Sequence, residues 1–160
     1  MQLSTGVYFI STIATNPWGE RWVQRNEVED KTLLPKPVAI QVEEAGAAEW
    51  FVEQIDDNNF KLSAGSICAD PAGTINNDGK LYADLTGAAA QNWTVTECQT
   101  CEEGVFIITD SNDHGVTWQT PAIVGGDSQI LLDTLIIPLI YPPKYPPAAQ
   151  FKFAAVGDVD

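Results

Sequence analysis

Three aromatic strand signatures recur along this chain in a fixed order, and that repetition limits its fold more than any other feature. Gly6-Val7-Tyr8-Phe9-Ile10 and Gly104-Val105-Phe106-Ile107-Ile108 are near copies. Between them, Asn59-Phe60-Lys61-Leu62 keeps the same aromatic-x-aliphatic form. Tyr8, Phe60 and Phe106 stand 52 and 46 residues apart. A second element occurs twice, as Gly19-Glu20-Arg21-Trp22 and Gly115-Val116-Thr117-Trp118. A third closes each unit: Glu49-Trp50-Phe51-Val52, Gln91-Asn92-Trp93-Thr94-Val95 and Gln150-Phe151-Lys152-Phe153. One such unit cannot bury its apolar face alone, but three packed about an axis can.

The local grammar is that of strands. No apolar stripe at helical spacing extends beyond one turn. Short aromatic and β-branched runs predict strands at Val7 to Ile13, Val38 to Val42, Trp50 to Ile55, Trp93 to Thr96, Val105 to Thr109 and Phe151 to Val156. Between runs lie turn formers such as Asp56-Asp57-Asn58-Asn59, Asn76-Asn77-Asp78-Gly79 and Gly125-Gly126-Asp127. The expected fold is all-β: a β-trefoil of three repeats of about 50 residues, its six-stranded barrel capped by three hairpins. The chain has 160 residues and predicts a single domain over 1–160. The segment Pro138 to Pro147 holds five prolines, so it reads as a loop inserted before the last strand.

Charge narrows the partners. The chain carries 22 acidic and 8 basic residues, a net −14. Binding to phosphate needs clustered cations, so nucleic acid and anionic membrane surfaces are both disfavoured. No early positive charge precedes an apolar run, and no stretch approaches the roughly 20 apolar residues that span a bilayer. These features predict a cytoplasmic protein.

Chemistry is sparse. A single histidine rules out any mechanism that needs two, including the HExxH zinc site. His114 sits in Ser111-Asn112-Asp113-His114-Gly115, a turn sequence. No P-loop, GxGxxG or GxSxG occurs. The expectation is a non-enzymatic protein with no cofactor and no metal. Cys68, Cys98 and Cys101 are too few and too odd in number for a disulfide scaffold. Cys98-Gln-Thr-Cys101 has redox or metal-ligand spacing, yet it stands alone, so all three read as plain thiols.

The cations are uneven. Arg21, Arg25, Lys31 and Lys36, half of the total, fall within one stretch after the second strand. That stretch is longer than a tight hairpin requires, and long loops on rigid all-β scaffolds often carry function. Composition by itself also fits a solvated connection, with Glu27, Glu29 and Asp30 offsetting Arg25 and Lys31.

Gly6-x-Tyr8-x-Ile10, Arg25-Asn26 and the run Val28-Glu29-Asp30-Lys31-Thr32-Leu33-Leu34-Pro35-Lys36 resemble the mushroom β-trefoil serine protease inhibitors of the cospin type. The resemblance covers the first unit most closely. It implies an inhibitor of trypsin-like serine proteases whose loop between the second and third strands enters the enzyme's specificity pocket. The matching residues here are Gln24, Arg25, Asn26 and Glu27, with Arg25 as the anchor and Gln24 and Asn26 as main-chain contacts. Trp22 reads as core by analogy with Trp118, and Lys31 and Lys36 read as strand-end charges.

Two other readings compete. Gln91-Asn92-Trp93 fits the Gln-x-Trp form of ricin-type lectins, with Trp18 beside Glu20 as a sugar platform. Inhibition of a cysteine protease through loops around Gly73 and Asp127 is the other.

Overall fold

The computed structural model describes residues 3–14, 20–25, 32–42, 47–65, 71–86, 90–121, 129–135, 137, 140 and 142–156, with the backbone alone at 20, 21, 42 and 114. Twelve strands run through it: β1 (Gly6–Thr12), β2 (Glu20–Arg25), β3 (Lys36–Val42), β4 (Trp50–Gln54), β5 (Asn59–Ala64), β6 (Ala72–Asn77), β7 (Lys80–Asp84), β8 (Asn92–Glu97), β9 (Val105–Asp110), β10 (Asp113–Gln119), β11 (Leu131–Thr134) and β12 (Phe151–Ala155). Among the described residues, no helix is long and apolar enough to cross a membrane.

All twelve strands belong to one antiparallel sheet. Pairing runs β10-β11-β7-β3-β2-β1, passes to β4, and continues β5-β8-β9 back to β10, which closes a ten-strand barrel. Two further strands join that wall. β12 bridges β1 and β9, and β6 bridges β5 and β7. The expected six-stranded β-trefoil barrel with a separate three-hairpin cap is therefore replaced by a closed ten-strand barrel with two extra strands. The physical reason lies in the hairpins. They are hydrogen-bonded into the wall through Ser11 opposite Trp22, Ser63 opposite Gly73 and Thr109 opposite Thr117.

The repeated aromatics meet in one register. Tyr8 lies opposite Trp50, Phe60 opposite Trp93, and Phe106 opposite Phe151. All six are buried. Directly opposed residues on one face have the closest side chains in a sheet, so this register stacks three aromatic pairs inward. Trp118 then fills the centre. Its ring lies 6.0 Å from Trp50, 5.5 Å from Trp93 and 5.9 Å from Phe151. Toward the other end, Phe153 packs edge-on against Phe106 at 5.4 Å and Tyr8 at 6.0 Å. Edge-to-face aromatic pairs at such spacing add about 0.5–1.5 kcal/mol each beyond area burial. Two of the indoles are also tied down by hydrogen bonds. Trp50 Nε1 donates to the Val23 carbonyl and Trp93 Nε1 to Thr74 Oγ1, each at 2.7 Å.

Trp22 departs from its expected place. It is half-buried on the outer face, 6.2 Å from Phe9, and Val23 takes the core position instead. The register of β2 against β3 slips between Glu20 and Trp22. A one-residue slip exchanges the two faces of a strand, so Trp22 and Trp118 are not equivalent.

A second, smaller apolar cluster lies outside the barrel. Cys98, Val105, Ile107 and Ala149 form it, and Tyr145 packs against them from the proline-rich segment. That segment ends in a 3₁₀ turn over Pro147–Ala149 immediately before β12. Beside it, Cys98 and Cys101 are joined as a disulfide. Their reading as plain thiols is thus corrected: the turn between β8 and β9 brings the two Cα atoms to 5.4 Å, within bonding range. Cys68 lies outside the described residues.

Candidate functional site

Of the four clustered cations, Arg21 and Arg25 lie in β2 and Lys36 begins β3, on either side of the β2–β3 connection. Val23, Gln24 and Arg25 face Ile40, Ala39 and Val38 across the hairpin, and β3 itself begins at Lys36, which pairs with Ala83 of β7. Arg25 is the final residue of β2 and is half-buried. Asn26, Glu27 and Lys31 lie outside the described residues.

The base of the connection is firmly held. Gln24 is buried, and its Oε1 accepts a hydrogen bond of 2.7 Å from the Ala48 backbone N–H. Gln24 thereby ties the end of β2 to the segment leading into β4, and its side chain is occupied inside the protein. The Trp50 indole braces the preceding residue through the Val23 carbonyl. Buried polar groups that find partners stiffen a structure, because losing the bond leaves a donor unmet at about 1–3 kcal/mol.

On the return side, Lys36 is only 3% exposed at the start of β3. Its Nζ donates to Thr32 Oγ1 at 3.3 Å, and the same oxygen accepts from the Leu34 N–H at 3.4 Å. A buried lysine stem with a bonded head braces the chain more than a solvated strand-end charge would. Between these supports, Leu33 and Leu34 point outward, 72% and 64% exposed. The sequence singled out their motif but gave them no role.

The other candidate residues have structural duties. Trp93 is fully buried, and Gln91 Oε1 accepts from the Asn76 N–H at 3.0 Å, so the Gln-x-Trp segment is core and bracing. Trp18 lies outside the described residues. Gly73 sits within β6 rather than in a loop, where an added Cβ would come within 2.5 Å of Ala90 Cβ. Asp127 lies outside the described residues. Ser111 and Asn112 form the turn between β9 and β10, where Asp110 Oδ1 accepts from the Asn112 N–H at 2.9 Å.

The fold is a closed antiparallel barrel whose β2–β3 connection is one of several long ones, with hydrogen-bonded supports at both of its ends. The chain belongs to the peptidase inhibitor I66 family, whose model matches residues 1–155. Among solved structures it is similar to a proteinase inhibitor from Coprinopsis cinerea, with 29% identity and a TM-score of 0.82, covering 97% of this chain and 100% of that one. It also shares its fold with ThreeFoil, a designed three-fold symmetric protein, at 11% identity and a TM-score of 0.65, covering 94% and 99% of the two chains. No curated protein matches the chain.

Proposed function

We propose that the protein inhibits trypsin-like serine peptidases, without catalysis of its own, by presenting Arg25 from the end of β2, where the β2–β3 connection begins. The carrying observation is the position of Arg25. It stands where β2 ends and the long connection begins, in a chain of a peptidase inhibitor family. A trypsin-like pocket is narrow and ends in a carboxylate, which selects a long cationic side chain. Arginine meets that carboxylate with a planar fork of donors. Asn26 would follow the bond that the enzyme addresses, with Glu27 beyond it on the leaving side.

The scaffold explains why such a loop would inhibit rather than be consumed. Residues already fixed before binding lose little conformational freedom on docking. Gln24 and Trp50 fix the β2 side, and Lys36 with Thr32 fixes the β3 side. Interfaces of this kind bury about 1,600 Å² in total and depend on a few deeply buried anchors. Titration of the protein against trypsin tests the reading. Arg25→Ala should weaken inhibition by about 30-fold or more, the expected loss of an anchor residue. Unchanged inhibition in Arg25→Ala would reject Arg25 as the anchor.

A further inference from the structure

The pair Leu33-Leu34 is absorbed neither by the fold nor by an arginine-centred reading. Large apolar side chains scattered singly on a surface need no explanation, but two in sequence on a supported loop do. Both are more than three-fifths exposed, while other large apolar residues of this connection's hairpin, Val23, Val38 and Ile40, are buried. The turn that carries the pair is hydrogen-bonded locally. Thr32 Oγ1 accepts from the Leu34 N–H, Lys36 Nζ reaches the same oxygen, and Pro35 restricts the backbone φ immediately after.

We propose that Leu33 and Leu34 are a second, apolar anchor, through which the protein inhibits serine peptidases whose specificity pocket is an apolar slot, of the chymotrypsin kind. The proposal rests on reading the β2–β3 connection as inhibitory, but it does not need Arg25. An apolar slot has no carboxylate to satisfy and accepts a neutral branched side chain by excluding water. An acidic protein presenting a neutral pair at this position offers such a slot contact without an unpaired charge to bury. The single connection would then address two specificities, a cationic one where β2 ends and an apolar one where β3 is about to begin.

The experiment compares the wild-type protein, Arg25→Ala, the double variant Leu33→Ser/Leu34→Ser and the double variant Leu33→Met/Leu34→Met against both trypsin and chymotrypsin. The serine pair should lose about 30-fold against chymotrypsin while keeping trypsin inhibition within about threefold. The methionine pair should retain chymotrypsin inhibition, which separates lost apolar contact from a disturbed loop. Arg25→Ala should retain it as well. Absence of chymotrypsin inhibition in the wild type, or equal inhibition by the serine pair, overturns the proposal. Sedimentation showing a dimer that only the serine pair abolishes also overturns it, in favour of a second copy as occupant. Unchanged trypsin inhibition in Arg25→Ala rejects the arginine reading alone.

Discussion

The strand pairs that carry the interior aromatics and the hairpins that project beyond them obey different rules. In the interior, three units use the same opposed positions: Tyr8 with Trp50, Phe60 with Trp93, and Phe106 with Phe151. At the hairpin tips the units diverge. The β6–β7 hairpin closes in two residues, Asp78 and Gly79, with φ of 55° and 79° as a tight primed turn requires. The β2–β3 hairpin instead spans 26–35 before its strands resume. A closed wall must agree in register all the way round, so a change in one unit strains the others. A tip is bounded by solvent and can lengthen at small cost, since loop-closure entropy grows only logarithmically with length. Repetition therefore persists where the units share a core, and variety collects where they do not.

Substitutions can break this division. Trp118→Ala should have the largest effect, about 3–5 kcal/mol, because it removes the ring that touches all three units. Urea denaturation measures it, and a cost under about 1 kcal/mol would show that the three pairs are held independently. Gln24→Ala should cost about 1–3 kcal/mol, since it removes a buried side chain together with its hydrogen bond to Ala48. If the brace serves the loop, the same variant weakens peptidase inhibition more than its stability loss accounts for. Inhibition that simply tracks the folded fraction would place Gln24 with the core. Gly79→Ala should cost the least, about 1–2 kcal/mol, from a side chain forced into the left-handed region. Inhibition should be untouched by it, because that tip lies on another hairpin.

Much of the wall was legible because its signals are local. The runs from Val38, Trp93 and Val105 fall within observed strands, and those from Val7, Trp50 and Phe151 overrun theirs by one residue. The Asn76-to-Gly79 turn is equally local. β6 was not legible, since Ala72-Gly73-Thr74 carries neither an aromatic nor an alternating signature. Closure was misread for a related reason: which strands pair is decided by long-range register, which periodicity does not encode. The bulge in β2 reversed the expected facing of Trp22 without any mark in the sequence. In the candidate site, clustered cations drew attention to the β2–β3 connection and the strand ends that flank it. Burial within it stayed hidden, because Gln24 finds its partner at Ala48 and Lys36 finds its own at Thr32, pairings set by the fold of the hairpin. The Cys98–Cys101 bond was missed because an odd cysteine count argues against disulfides in general, not against one short link.

The closed pairing has a consequence for survival. Every one of the twelve strands has at least two hydrogen-bonded neighbours. A hydrolytic enzyme commonly grips its substrate as an added strand, which requires an unpaired edge or a segment that can detach. Among the described residues no strand lies at an edge of the sheet, so digestion of the wall must wait for the barrel to open. A chain of a peptidase inhibitor family thus withholds its paired strands from the enzymes it meets.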